Sequence, residues 1–315
     1  MNKEFQFQQI KEADFPEIET LAIENGGNSS LNVNALKHQY FNNPSKSFTF
    51  WKVVGQNKIE GYATTNNFQF ILENKKIFVG MPQNVLVSEF VRGSGLFGKL
   101  YNLTEKENRE EKSIDTFLTF TNEISTPIFI KKFKYLRGMC PDLTFYISFI
   151  HFLKKDLNYV FLKTISEIDF DSFKVPIQLN NSIIKNKEYY NWRYKSYDEK
   201  EIKILKVIKK SEIIGFGILK VERKKGLSFL MLMDIITINA DYTFDIVNVC
   251  RQYCSKNMFV GLLLFKSVFV KYPRTILKLN FKERFNFLVK GKTEIETRAL
   301  SELNYNFYLA DMDSF

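Results

Sequence analysis

The stretch Val85-Leu86-Val87-Ser88-Glu89-Phe90-Val91-Arg92-Gly93-Ser94-Gly95-Leu96-Phe97-Gly98-Lys99-Leu100 constrains this chain more than any other. It sets a glycine-rich turn between a strand-like run and a helix-like run. Glycine admits positive φ and lets a ligand approach the main chain, while the N–H groups that open the next helix point at an anion that the helix dipole also favours. The turn therefore reads as a cradle for a diphosphate, to which Arg92 adds a charge-assisted hydrogen bond. The bland alternative is a glycine-containing loop between strand and helix, as any α/β protein has.

Two patterns compete for these residues. Gly93-x-Gly95-x-x-Gly98 satisfies the dinucleotide fingerprint as a bare string, a weak match on its own. Arg-x-x-Gly-x-(Gly/Ala) fits better, with Phe97 in place of the final small residue. On this pattern the segment from Val87 to Leu100 resembles the pyrophosphate turn of the GNAT superfamily of acyl-CoA N-acyltransferases. Arg92 ahead of the glycines is ordinary for an acyl-CoA turn and unusual for a nicotinamide one.

The segments downstream of the turn come in a matching order. An amphipathic run from Leu96 to Lys112 leads to the strand-like Ile114–Phe120, then to Asn122-Glu123-Ile124-Ser125 and a helix-like Pro127–Phe133. This is similar to the family's second signature, Asn-x-x-(Ala/Ser) before a helix that ends in Gly-Phe, a pair replaced here by Lys134-Tyr135. The resemblance implies acyl-CoA as the donor, held by Leu86, Val87, Ser88, Arg92, Gly93, Ser94, Gly95, Leu96 and Phe97, with Asn122, Ser125, Phe129 and Lys132 from the second signature. It also implies that two strands splay below the turn and that pantetheine pairs with Leu86, Val87 and Ser88 as an added strand would.

With 315 residues, 45% hydrophobic and 25% charged, the chain has room for two globular domains. Its net charge of +10 is scattered rather than blocked. No arginine-rich arm, zinc-finger spacing or RNP motif supports nucleic acid as a partner. Cys140, Cys250 and Cys254 have no metal-ligand pattern, and His38 and His151 lie at no useful spacing, so reduced thiols and no metal are expected. Neither a signal-peptide core nor a run long enough to span a bilayer is present, which points to a cytoplasmic enzyme with no membrane partner. A homodimer is compatible with these features.

An ungapped internal repeat organises the chain. The segment from Lys37-His38-Gln39-Tyr40 to Gly61-Tyr62 runs parallel to that from Asn191-Trp192-Arg193-Tyr194 to Gly215-Phe216. Each copy reads as a helix with an aromatic end, a strand, a tight turn at Gln56-Asn57 or Lys210-Ser211, and a partner strand. The second copy continues with a strand at 229–236, a helix through Lys256 and a strand at 259–265, but has no glycine turn. The expected fold is α/β: two tandem GNAT-like domains with mixed sheets flanked by helices, 1–157 binding the donor and 158–315 completing the acceptor site.

Tyr189–Tyr194, Ile213–Phe216, Asp234-Ile235-Ile236 and Leu309–Asp313 together look like tandem-domain enzymes that acylate nucleotide-linked amino sugars for surface polysaccharides, such as dTDP-amino-deoxyhexoses. That likeness implies a nucleotide-sugar acceptor and an acetyl or short 3-hydroxyacyl group. Trp192 or Tyr194 would stack on the base, Arg193 would clamp the diphosphate, and Asp234, Asp311 and Asp313 would bind sugar hydroxyls or an ammonium. Core packing competes as a reading for Trp192, an ion pair for Arg193, and loop capping for Asp234. An amino acid, peptide or antibiotic amine is the alternative acceptor. An NAD(P)-dependent oxidoreductase and a silent binding module are alternatives of other classes. For catalysis, main-chain N–H at Val87 or Ser88 is the candidate donor to the oxyanion. Asn122, Glu89 and Tyr135 are the candidate catalytic side chains, the usual tyrosine position being Phe129.

Overall fold

The computed structural model describes residues 4–25, 31–147, 156–171, 173, 179–194, 197, 201–268, 270–273, 278–281 and 286–312. In chain order its first elements are β1 (Phe5–Gln9), α1 (Phe15–Glu24), α2 (Val33–Leu36), β2 (Phe48–Gly55), β3 (Lys58–Leu72), β4 (Lys75–Val87), α3 (Leu96–Lys112), β5 (Thr116–Thr121), α4 (Thr126–Phe133), β6 (Leu136–Arg137) and β7 (Asp142–Ile147). There follow β8 (Leu157–Leu162), β9 (Ser182–Ile183), α5 (Lys187–Tyr194), β10 (Ile202–Lys209), β11 (Glu212–Lys224), β12 (Leu227–Thr237), α6 (Tyr242–Lys256), β13 (Gly261–Lys266), β14 (Lys278–Phe281), β15 (Asn286–Lys290) and α7 (Glu294–Glu302).

These elements form two compact units. The first comprises Met1–Phe70, Lys76–Gly138 and Asn286–Glu302, and the second Ile71–Lys75, Met139–Phe285 and Leu303–Phe315. The expected organisation has a single cut at 157/158, whereas the observed units interleave in sequence. Strand pairing is the cause: β7, ahead of that cut, pairs with β13, and β15, far behind it, pairs with β5.

In the first unit the strands run β1-β2-β3-β4-β5-β15-β6. Period-two alternation divides the side chains between two cores. Phe50 and Tyr62 face Phe15, Ile18, Leu21, Leu36 and Tyr40 on the α1–α2 side. Val53 and Ala63 face Val91, Leu96 and Leu100 on the α3 side. Helix α1 starts with Pro16 in its first turn, where the missing N–H costs nothing, and α3 stops at Ser113, whose φ of 56° ends the helical path.

In the second unit the order is β14-β7-β13-β12-β11-β10-β8, around a core that includes Leu205, Val207, Ile214, Leu230, Ile246 and Cys250. The internal repeat is structural. Both hairpins turn on two residues of positive φ, Gln56-Asn57 (52°, 64°) and Lys210-Ser211 (46°, 71°), the geometry that matches strand twist. Both also slip register at equivalent places, between Val53 and Val54 and between Val207 and Ile208.

Candidate functional site

β4 and β5 run parallel, registered at Val79 with Thr116 and Gly80 with Phe117. Pro82 then has no N–H to offer a neighbour, and its carbonyl is taken by Thr119 Oγ1 at 3.0 Å. Asn84, with φ of 47°, turns β4 further from a regular path. Residues 83–87 thus leave β5, which continues along β15 as far as Thr121. The strand separation implied by the resemblance is present.

After β4, Ser88 opens a tight turn at Glu89–Val91, closed by the Val91 N–H donating to the Ser88 carbonyl at 3.1 Å. Gly93 (83°) and Gly95 (80°) both occupy the left-handed region. A Cβ on either would meet nothing within 4 Å, so the backbone demands glycine while the face above it stays open. Lys99 makes the first helical bond of α3, to the Gly95 carbonyl at 3.2 Å. The N–H groups of Leu96, Phe97 and Gly98 precede it and have no helical acceptor.

Three cations belong to this turn or lie over it. Arg92 and Lys99 are exposed, and Lys132 reaches over from α4 so that its ammonium tip covers Gly98, where a Cβ would overlap it. No acidic residue stands in the first turn of α3. Cations at the positive end of a helix oppose the macrodipole, and an anion between them reverses the sign. These residues therefore fit the diphosphate of coenzyme A.

Other expected residues serve different ends. Arg92 divides its guanidinium between the Val87 carbonyl (3.3 Å) and the Glu89 carboxylate (3.0 Å), so Glu89 braces Arg92 at the surface. The Ser88 N–H donates to the Glu60 carbonyl at 2.8 Å and is thereby withdrawn as an oxyanion donor. Asn122 Oδ1 accepts from the N–H groups of Ile124 (3.1 Å) and Ser125 (2.8 Å) and from Ser125 Oγ (3.0 Å), capping the entry to α4.

Tyr135 requires a correction. It is 0% exposed, its hydroxyl bonds that of Tyr101, and burial above all holds its ionisation well above 10. A group packed among Tyr101, Phe117, Phe129 and Phe133 is cut off from an open reaction centre. Phe129 likewise belongs to this cluster rather than to a ligand surface. Phe97 explains its own departure from the pattern, since its ring lies 5.7 Å from Phe133 and 6.3 Å from Phe129 between centroids.

In the second unit the corresponding strand end leads to α6, whose N-terminus carries Asp241 at the cap and Asp245 in the first turn. Lys209 Nζ lies 2.6 Å from Asp245. Carboxylates thus stand at the helix end that an anion would approach.

The side chains expected to hold an acceptor there are engaged in the unit's own interior. Trp192 is buried, edge-on to Tyr189 at 5.6 Å, and Arg193 Nη2 donates to the Met312 carbonyl at 3.1 Å. Asp234, 0% exposed, lies 2.9 Å from Lys185 Nζ, which also stands 2.7 Å from Asp311. Tyr194 donates to Asp234 at 3.3 Å, Tyr189 donates to Asp311 at 3.1 Å, and the ammonium lies 4.7 Å from the centre of the Tyr308 ring. The ammonium that these carboxylates bind is the chain's own, and Lys185 has no motif that would single it out in sequence. Asp313, His151 and residues 154–155 lie outside the described residues. Among those described, no group of three His, Cys, Asp or Glu side chains is placed to hold a metal, and no helix is long and apolar enough to cross a membrane.

Burial raises the Asp234 carboxyl from 3.8 to about 6, against the pull of Lys185. With the folded value above the unfolded one, the native state binds the extra proton between those limits. The group's contribution is therefore greatest below about pH 4 and is lost as pH rises through 6. Asp234→Asn should remove this slope. Denaturation of both proteins at about pH 4.5 and about pH 7 should show the variant gaining on the wild type at the higher pH, and a constant difference would contradict the reading.

No family model matches the chain, and no curated protein does. Solved structures do. A GCN5-related N-acetyltransferase from Anabaena variabilis superposes with a TM-score of 0.69 at 12% identity, over 95% of this chain and 75% of its own. A GCN5-related N-acetyltransferase from Kribbella flavida gives 0.61 at 10% identity, over 95% and 74%. With both sheets, the shared hairpin bulges and the strand separation in place, the chain has the two-domain GNAT-like fold.

Proposed function

We propose that this chain is an acyl-CoA-dependent N-acyltransferase whose donor site lies in the first unit alone. The observation that carries this reading is Lys132 lying over helix amides that have no helical acceptor, behind two left-handed glycines whose outer face is open. The two similar structures are N-acetyltransferases by description, which favours coenzyme A over a nicotinamide dinucleotide at the same turn.

Bound acyl-CoA supplies a thioester carbonyl to which a neutral amine can add. Leu96, Phe97 and Gly98 donate main-chain N–H to the diphosphate, and Arg92 and Lys132 neutralise it. Leu86 and Val87 offer main-chain groups to pantetheine, and Val87 N–H is the remaining candidate donor to charge developing on the carbonyl oxygen. Positioning and exclusion of water do much of the work. The acceptor is an amine. A nucleotide-linked amino sugar stays among the acceptors to test, although the side chains that the resemblance assigns to it close the interior of the second unit.

Calorimetric titration should find coenzyme A binding and no competing NAD(P) binding. Thiol release from acetyl-CoA, followed over a nucleotide-linked amino sugar, a free amino sugar and a peptide amine, should then identify the acceptor. Binding of NAD(P) without coenzyme A would overturn the proposal, and coenzyme A binding with no turnover on any amine would leave a silent binding module in its place.

A further inference from the structure

Beside the open stretch of β4, uncharged polar side chains run from the surface into the core, on the face of the sheet opposite α3. A single π-helical turn, Lys37–Phe41, brings Gln39 and Tyr40 to this strand. Such turns recur at functional sites. Gln83 Oε1 accepts from Gln39 Nε2 at 3.0 Å and from Asn66 Nδ2 at 2.7 Å. Asn84 Nδ2 donates to the Tyr40 hydroxyl at 3.0 Å and to Gln39 Oε1 at 3.3 Å. Tyr40 OH lies 2.7 Å from Thr64 Oγ1, which bonds the Gln83 carbonyl.

Packing alone does not explain two features of this network. Asn66 is 1% exposed, yet its Oδ1 is buried without a hydrogen-bond partner. Such a deficit is tolerated where a ligand or water completes the bond. Asn84 holds φ at 47° within a strand, a conformation that costs an L residue energy and concentrates at functional sites. The network spends Gln83 Oε1 and Asn84 Nδ2 internally. Among the described residues it leaves Gln83 Nε2 as a donor and Asn84 Oδ1 as an acceptor, both on the segment that has parted from β5.

We propose that Gln83 and Asn84, backed by Asn66, form an acceptor subsite that takes an uncharged hydrogen-bonding group of the amine substrate, a hydroxyl or a carboxamide. Gln39, Tyr40, Thr64, Asn66, Gln83 and Asn84 carry no charge, so an ionic group lodged here would lose its hydration without gaining a counter-ion. A hydroxyl both donates and accepts, as Gln83 and Asn84 require. The inference rests on the acyl-transfer reading above for the neighbouring donor site.

The test uses the full chain with coenzyme A present. Saturation-transfer NMR compares glucosamine with cyclohexylamine, which has the same ring size and amine but no hydroxyls. Glucosamine should bind at least about tenfold more tightly, the yield of one well-made neutral hydrogen bond. Gln83→Leu and Asn66→Leu should each lower glucosamine affinity towards that of cyclohexylamine while leaving coenzyme A affinity, measured by calorimetry, unchanged. Gln83 is half-exposed, so its variant stays informative should the Asn66 variant misfold. Equal affinity for the two probes, no detectable glucosamine binding, or an unaltered preference in Gln83→Leu would overturn the subsite. Failure of the wild-type chain to bind coenzyme A would instead refute the donor site, and the two failures are read by separate measurements.

Discussion

Lys185→Met should lower the stability of the second unit by about 3–5 kcal/mol, the usual result of removing one partner from a buried ionic cluster. Lys185 stands between Asp234 at 2.9 Å and Asp311 at 2.7 Å, with its own side chain 7% exposed. Burial pulls its ammonium down, and the two carboxylates more than offset that pull, leaving it above its ordinary 10.5. Methionine matches the length but strands two buried carboxyl groups without their cation. The loss should shrink in the triple variant Lys185→Met, Asp234→Asn, Asp311→Asn, because no stranded charge remains. Trp51 and Trp192 are the chain's two tryptophans, one in each unit, so urea titration followed by Trp192 emission in a Trp51→Phe background reads the second unit directly. A loss below about 1 kcal/mol would place Lys185 in a relaxed surface pair and contradict the burial argument.

The cluster also marks where sequence stops being informative. A glycine that must adopt positive φ beside a helix start leaves a local imprint, and Gly93 and Gly95 were legible for that reason. The repeat was legible too, since register slip and turn type recur with the residues that cause them. Burial leaves no such imprint on a lone tyrosine or lysine. Tyr135 stood at a family position and proved to be core, while Lys185 stood at none and proved central. Asp234 and Asp311 drew attention as carboxylates, but the cation they serve lies far from both in sequence. The pairing of β7 with β13 and of β15 with β5 is long-range and has no local signature. Nor did hydrophobic pattern point to Gln83 and Asn84, because their meaning comes from the strand parting beside them.

Lys132→Glu should weaken coenzyme A binding and leave the stability of the free protein nearly unchanged. With the diphosphate absent, Lys132 faces the positive end of α3, together with Arg92 and Lys99 and without an acid in the first turn. Glutamate there interacts favourably with the α3 dipole and unfavourably with that of α4, whose last turn holds Lys132, so the two effects offset and the free protein should change little in stability. Coenzyme A should lose a charge-assisted contact and meet repulsion in its place, weakening binding by about 1.5–3 kcal/mol, or roughly 10- to 150-fold. Added salt should narrow the affinity difference, because the site is open and exposed charges are screened within about 10 Å at roughly 0.1 M. Thermal melts of the free protein and calorimetric titration with coenzyme A, each at two salt concentrations, supply all four values. A merely structural lysine would lower stability and affinity together, whereas a loss of affinity alone requires that this helix end be built for an anion it does not itself contain.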